Sequence, residues 1–461
     1  MKIKLLFLLG ITLFYVKTNA QCTGNVSIPD ANFKASLLND HSIDTNSDGE
    51  ISCTEASSYV GLINVASKSI SDLTGIEAFT GITGLYCFNN SLTSLDVSSN
   101  TALTDLRCAV NELASLDVSN NTELEILYCF QNSMTTLNLS NTSKLLLLQC
   151  YDNEIASLDV SDSVLLEGLY CGMNQLSSLD VSANTSLIEL FCGSNALTAL
   201  DVSSNTALVD LRILSNSISS IDLSNNSSLE YLYTRYNALT SLDVSSNPNL
   251  VELFCNDNLL TDIDVSNNSA LEKLYCGTNE LTSLDVSSCT SLLDLYCFSN
   301  EITTLDVSGN SSLININCSD NALTSLNVAN GNNVNFLVYN FIANSSLTCI
   351  EVDDQSYSDT NWSSAKYATA SYSEDCSATA SSEDFITSGF SVYPNPVENS
   401  LEVQVGEELK AVELFTMLGK KVLRNSSRNN YIDVSSLSSG LYLLKATTTT
   451  GKVAIQKIVK E

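Results

Sequence analysis

The stretch Leu169–Ser182, LYCGMNQLSSLDVS, returns along this 461-residue chain at a fixed interval. From Ile82 to Asn333 the chain divides into twelve units of 21 residues with the template L-x-x-L-Y-C-x-x-N-x-L-T-S-L-D-V-S-x-N-T-x. The asparagine three places after the cysteine stands in all twelve, from Asn90 to Asn321. The leucine two places before it runs from Leu85 to Leu295, and only Ile316 differs. One unit is too short to bury its own apolar stripe, so stacked units must bury a continuous column, which predicts a solenoid. Leu169 and Cys171 point one way and Tyr170 the other, the alternation of a strand. Each coil therefore gives one short strand to a parallel sheet. At about 4.8 Å per strand, twelve coils span roughly 55–60 Å. The recurrent asparagine is expected to bridge backbone groups at the turn leaving the strand, since its amide both donates and accepts.

The cysteine phase holds Cys87, Cys108, Cys129, Cys150, Cys171, Cys192, Cys255, Cys276, Cys297 and Cys318, with Ile213 and Thr234 in the remaining two units. Isoleucine replaces an apolar filler but neither a metal ligand nor a disulfide partner. There is no C-x-x-C and no histidine cluster. Parallel side-chain vectors also make a poor disulfide torsion. These points predict a buried column of small polarisable side chains. Five cysteines lie off this phase. Cys349 and Cys376 bracket the segment after the last coil, which holds the only tryptophan, Trp362, and a disulfide between them would seal that end. Cys22 and Cys53 could staple the other end. Cys289 stands at an asparagine phase in a turn and is expected to be unpaired.

The pattern L-x-x-L-x-C-x-x-N-x-L resembles the leucine-rich repeat family, from about Leu62 to Val352. The resemblance implies strands lining one face of a coil stack. The expected fold is a leucine-rich repeat solenoid with a parallel β-sheet of about 12–14 coils of 21 residues, followed by a small C-terminal antiparallel β-sandwich. The end coils are degenerate, as capping requires. The first, Leu62 to Thr80, puts Ala66 at the cysteine phase. In the last, Leu337 and Tyr339 keep phase, and three extra residues precede Leu347, Ile350 and Val352.

Residues 1–20, MKIKLLFLLGITLFYVKTNA, read as a secretory signal peptide: Lys2 and Lys4, an apolar run of 12 from Leu5 to Val16, then Thr18-Asn19-Ala20 as a small-residue cleavage site. No later segment is long and apolar enough to span a bilayer. The mature chain is then exported to a place where disulfides are allowed. Residues 21–382 hold 8 basic and 43 acidic residues, whereas from Glu383 onward 9 basic and 9 acidic residues balance. Such a surface repels nucleic acid and anionic lipid and favours solubility or cation binding.

Asp44–Glu55 reads DTNSDGEISCTE and matches a 12-residue EF-hand loop: Asp44, Asn46 and Asp48 at positions 1, 3 and 5, Gly49 at the bend, the Glu50 carbonyl at 7, Ser52 at 9 and Glu55 at 12. Calcium is the expected ion, in a structural role. The other reading is an Asx-rich turn that caps the stack. Helical signals flank the loop at Asn32–Leu38 and Thr54–Ser57. The segment SIPDANFKASLLN, the loop and the later DLTGIEAF resemble the entry cap of secreted leucine-rich repeat proteins of the Bacteroidetes.

After the Ser/Ala-rich stretch SATASSED the 21-residue period is gone. Short alternating runs separated by Pro, Gly, Asn and Ser point to an antiparallel sandwich. Leu401-Val403-Val405, Val412-Leu414, Ile432-Val434, Leu441-Leu443 and Val453-Ile455 are expected to face its core. The tail resembles the type A C-terminal sorting domain of the type IX secretion system, through Tyr393-Pro394-Asn395-Pro396, Gly419-Lys420, Leu437-Ser438-Ser439-Gly440-Leu441-Tyr442 and Lys457-Ile458-Val459. The resemblance implies that residues 388–461 engage that machinery, that the chain crosses the outer membrane, and that it is released or attached at the surface. The expected organisation is signal peptide 1–20, N-terminal cap 21–61, solenoid 62–352, C-terminal cap 353–376, linker 377–387 and sorting domain 388–461.

The sequence offers no H-E-x-x-H, no G-x-S-x-G and no phosphate-binding glycine loop. Its one histidine is His41. Recurrent acids such as Asp96, Asp180, Asp201 and Asp285 share one phase and read as turn architecture. The position before the cysteine holds Tyr86, Tyr128, Tyr170, Phe191, Tyr233, Phe254, Tyr275 and Tyr296, with Arg107 and Arg212 in two other coils. Two residues further on lie Phe88, Phe130, Tyr151 and Phe298. These side chains stand on the strand face away from the core, bordered by Asp105, Glu189, Asp210, Glu252 and Asp294. They can stabilise by cross-strand stacking. They can also form a platform for a protein or a glycan. The expected function is a non-catalytic, monomeric binding protein at or beyond the cell surface. A ligand-free structural spacer and a polysaccharide hydrolase are the alternatives.

Overall fold

The computed structural model describes residues 22–40, 42–376, 390–406, 408–417, 420–425, 430–450 and 452–461. The expected signal peptide, His41, the 377–387 linker and Gly419 lie outside them. The chain forms two compact units, Met1–Glu374 and Asp375–Glu461.

In the first unit, a parallel sheet of 14 strands runs in chain order from Val60–Asn64 through Gly81–Tyr86 to Val338–Asn340. Each coil supplies one short strand. Gly168–Tyr170 and Glu189–Phe191 pair with Leu169 opposite Leu190 and Tyr170 opposite Phe191. The two Leu positions and the Cys position of each coil are buried and build one continuous core. All ten repeat cysteines are fully buried with free thiols. Cys289 is also buried and free. Cys22 is joined to Cys53, and Cys349 and Cys376 are both disulfide-bonded.

The asparagine after the strand fixes each coil to its neighbour. Asn174 Nδ2 donates to the carbonyls of Cys150 (3.0 Å), Cys171 (3.1 Å) and Gly172 (3.2 Å), while its Oδ1 accepts from Ile155 N at 3.0 Å. The same set repeats coil by coil. A second asparagine ladder runs through the turn after the L-D-V-S phase and uses only the donor. Asn205 Nδ2 donates to Val181 O (3.0 Å) and Asn184 O (2.8 Å), and its buried Oδ1 has no protein partner. This difference explains their tolerance. Any donor suits the second ladder, so Thr142, Ser163 and Cys289 can stand in it, the last with Sγ 3.6 Å from Val265 O. Only an amide meets both demands of the first.

Two residues after each cysteine phase the backbone is left-handed. From Asn89 to Asp320, φ at this place lies between 51° and 57° in all twelve coils, and none of the twelve residues is glycine. Inter-coil bonds such as Met173 N to Gly193 O at 2.9 Å hold the conformation. Val110, like Thr278, is poorly suited, because a β-branched side chain crowds this region. It is 37% exposed, so little packing depends on it. Val110→Asn is expected to raise stability by about 1 kcal/mol in chemical denaturation; an unchanged or lowered midpoint would refute that strain.

The end coils differ from expectation. Val60–Asn64 pairs with Gly81–Tyr86 through a register shift between Gly61 and Leu62, so Asn64 lies opposite Tyr86. Val65, not Ala66, therefore takes the cysteine position, and its carbonyl accepts from Asn90 Nδ2 at 2.9 Å. At the other end Ile316 lies opposite Tyr339. Tyr339 thus fills the leucine position and buried Phe341 the cysteine position, while Leu337 is 74% exposed. Two of the three extra residues precede the strand rather than follow it. Asn344 continues the ladder, donating to Cys318 O and Phe341 O, both at 3.0 Å. Trp362, 1% exposed, closes the stack among Phe336, Tyr339, Phe341, Tyr357 and Tyr372. A second parallel sheet joins Thr304–Asp306, Ser325–Asn327, Cys349–Glu351 and Ser371–Ser373, so it continues past Val352.

The phase-locked aspartates sit in tight turns. Asp180 Oδ1 accepts from Ser182 N at 2.9 Å, and Asp201 from Ser203 N at 2.9 Å.

In the second unit, a three-stranded antiparallel sheet (Ser391–Tyr393, Ser400–Gln404, Tyr431–Asp433) and a four-stranded one (Leu409–Thr416, Lys421–Asn425, Gly440–Thr448, Val453–Lys460) share one apolar core. Leu401, Val403, Val412, Leu414, Ile432, Val434 and Val453 are buried, with Val405 packed against them. In Gly440–Thr448 the inward residues are Tyr442, Leu444 and Ala446; Leu441 is 43% exposed. Ile455, 49% exposed, likewise faces out, and Ala454 and Ile458 face in. Both parities of LYLLKA are apolar, so alternation alone could not choose between them. Asn395 ties the Tyr393–Pro396 motif to the last strand: its Nδ2 donates to Lys457 O at 2.9 Å and its Oδ1 accepts from Val459 N at 2.8 Å.

Candidate functional site

The alternation that buries leucine and cysteine puts the residue between them on the opposite face of the sheet. Tyr86, Tyr128, Tyr170, Phe191, Tyr233, Phe254, Tyr275 and Tyr296 each end a strand of the 14-stranded sheet. All eight are half-buried. Registered pairing brings neighbours into contact. Ring centroids lie 4.5 Å apart for Tyr170–Phe191, 4.6 Å for Tyr233–Phe254, 4.2 Å and nearly parallel for Phe254–Tyr275, and 4.5 Å for Tyr275–Tyr296. Phe130 stacks on Tyr151 at 4.6 Å.

Two arginines are rungs of the same ladder. Arg107 Cζ lies 4.5 Å from the Tyr86 ring and 4.9 Å from Tyr128. Arg212 Cζ lies 4.3 Å from Phe191 and 4.6 Å from Tyr233. Each guanidinium is fixed by the acid two residues before it: Arg107 Nη2 to Asp105 at 2.9 Å and Arg212 Nη2 to Asp210 at 2.7 Å. The tyrosine hydroxyls donate to the bordering carboxylates, Tyr86 to Asp105 at 2.7 Å, Tyr170 to Glu189 and Tyr233 to Glu252. Lys273 pairs with Glu252 at 2.8 Å. Burial pushes the Glu252 carboxyl up, but bonds from Lys273 and Tyr233 outweigh it and hold it below the usual carboxylate range. Burial and the Asp294 charge push the Tyr275 phenol up to about 12. The face is thus an ordered array of rings and polar groups that can take planar or cationic partners by stacking. The sequence placed every ring and both arginines here. It did not reveal that the arginines lie between rings, because that depends on registered pairing across coils.

The cap loop divides the expected calcium ligands. Two helices flank it, α1 (Ala31–Leu38) and α2 (Cys53–Ser58). Asp44 is 6% exposed and its Oδ1 has no partner. Asn46 Oδ1 accepts from Asp48 N at 2.8 Å, Asp48 Oδ1 from Glu50 N at 2.9 Å, and Gly49 turns at φ 80°. Ser52 and Glu55 are joined to each other in a capping box at the start of α2. Glu55 also accepts from Thr45 N and Oγ1, both at 2.9 Å. Hydrogen bonds from Ser52, then Thr45, hold the Glu55 carboxyl at about 2. Among the described residues no three His, Cys, Asp or Glu side chains gather as a metal set. The orphaned Asp44 oxygen fits a hard cation, whereas Glu55 is spent on the helix cap.

Residues 391–461 match the family model described as the secretion system C-terminal sorting domain. That domain marks the chain for export, to the medium or the outer-membrane surface. Among the described residues no helix is long and apolar enough to cross a membrane. A curated relative, beta-agarase D of Zobellia galactanivorans, is 36% identical over 73 residues. The match lies in the tail and spans 16% of this chain and 15% of that protein's length. Among solved structures, the functional domain of InlJ from Listeria monocytogenes, described as including a cysteine ladder, is 26% identical, with 95% of this chain and 99% of that chain covered and a TM-score of 0.61. An internalin, InlF, from Listeria monocytogenes is 24% identical over 62% of this chain and 94% of its own, with a TM-score of 0.51, a likeness of fold alone. The first unit has the leucine-rich repeat fold.

Proposed function

We propose that this is a non-catalytic exported binding protein that holds a protein or polysaccharide on its strand face. The ring and guanidinium ladder carries the reading. Half-buried rings stabilise the sheet by cross-strand stacking and still present faces that a partner can cover. The likeness to the agarase bears on export only, since it is confined to the tail. The test compares the full chain with Tyr170→Ser/Tyr233→Ser/Tyr275→Ser on glycan and peptide arrays. The wild-type signals are expected to fall at least tenfold in the variant. Signals that survive unchanged would place binding elsewhere.

The cap loop is a structural calcium site in this reading, through Asp44, Asn46, Asp48 and the Glu50 carbonyl, with Ser52 and Glu55 holding α2. Its support is the unpartnered buried oxygen of Asp44. EDTA is expected to lower the melting temperature, and excess Ca2+ to restore it. A melting curve indifferent to both would remove calcium from the account.

A further inference from the structure

The chain itself shows how this face treats a guanidinium. Arg107 and Arg212 each lie between the rings of flanking strands, with a carboxylate on their own strand. This is the geometry of a cation site: two π faces above and below, and a bidentate acceptor at the end. Two rungs of the ladder carry neither a ring nor a guanidinium, and the residue two before each is neutral, Leu147 before Gln149 and Asn315 before Asn317. Gln149 stands in register between Tyr128 and Tyr170, with neither a ring nor a positive charge. Asn317 follows Tyr296 and leaves that ring without a stacking neighbour on its far side.

The carboxylates of this face outnumber its cations. Glu189 and Asp210 are opposite each other on adjacent strands, but Arg212 bonds Asp210. Asp294, on the strand of Tyr296, has no ion pair among the described residues; Lys273 beside it is bonded to Glu252. Glu125 and Glu167, just before their strands, and Asp152 and Asp257, in the turns after theirs, add further negative charge with no ion pair among the described residues. These carboxylates can accept hydrogen bonds from a glycan's hydroxyls, but their net charge draws a cationic partner and repels an acidic one.

We propose that the partner is a polypeptide segment bearing arginine, whose guanidinium groups complete the ladder beside Gln149 and Asn317. The inference rests on the binding role of the strand face and names the chemistry of what that face takes. Arginine is favoured over lysine because a planar group fits between rings and meets a carboxylate with two parallel bonds.

The test measures fluorescence anisotropy of labelled nona-arginine and nona-lysine on the full chain at about 0.15 M salt, where long-range attraction is screened. Glu189→Gln/Asp294→Asn removes two charges from the face and keeps the shapes. Asp180→Asn/Asp243→Asn removes two from the turns of the L-D-V-S phase. Nona-arginine is expected to bind more tightly than nona-lysine, to lose at least tenfold with the first variant and less than twofold with the second. Equal losses, or no preference for arginine, would reduce the effect to bulk charge and overturn the inference. If neutral oligosaccharides bind and are lost in the triple tyrosine variant while nona-arginine does not bind, the cationic partner is wrong and the binding face stands. If neither probe responds to the tyrosine variant, both fail. Circular dichroism of each variant confirms that it is folded.

Discussion

Asn258→Ala is expected to destabilise the solenoid by about 3 kcal/mol, among the largest effects of any single substitution outside the leucine core. Asn258 Nδ2 donates to Thr234 O and Cys255 O at 3.1 Å and to Asn256 O at 3.3 Å, and Oδ1 accepts from Leu239 N at 3.0 Å. The residue is 7% exposed. Alanine removes the bonds and leaves carbonyls and an amide N–H of two coils unsatisfied where water reaches poorly, which costs more than the bonds contributed. Since each coil touches only its neighbours, a break in mid-stack also uncouples the two halves. Denaturation should show a lower midpoint and a reduced slope. Asn205→Thr, in the donor-only ladder, should cost less than half as much, because Thr142 already fills that position elsewhere. Equal costs would contradict the division of labour between the ladders.

The second large effect concerns the thiols. Eleven cysteines are free and fully buried. Burial pushes Cys108, Cys150, Cys192, Cys255 and Cys297 up to about 12, and Cys289 up to about 11. At pH 8 a thiol at about 12 is only about 0.01% thiolate, against roughly a quarter for an ordinary cysteine. A water-soluble disulfide reagent is therefore expected to find no reactive thiol in the native chain over hours, and eleven within minutes in guanidinium. Even one equivalent of fast native reaction would contradict a packed column.

What the sequence disclosed, and what it withheld, follows from which signals are local. The period, the buried Leu and Cys phases, the outward rings and the bridging role of Asn174 are properties of one coil and could be read from its repeat. Ala66 and Leu337 were misplaced because a register shift between Gly61 and Leu62 and a two-residue insertion before Val338 break the period at the ends. The left-handed residue of each coil was hidden because its occupants, from Val110 to Met173 to Tyr236, share no property that favours φ > 0. Inter-coil hydrogen bonds impose it. Leu441 and Ile455 were assigned inward because both faces of their strands are apolar. Ser52 and Glu55 fit a calcium loop and a capping box equally well in sequence, and in the structure they form the capping box at the start of α2.

Hydroxyl-radical footprinting of the full chain tests directly whether the strand face holds the ligand. Nona-arginine, or a ligand found on the arrays, is added at saturation, and oxidation of each tyrosine is followed by mass spectrometry. Protection is expected at Tyr128, Tyr170, Tyr233, Tyr275 and Tyr296, with Tyr367 and Tyr431 unchanged. Protection confined to the cap or the tail, with the five ladder tyrosines oxidised as before, would contradict binding on the strand face.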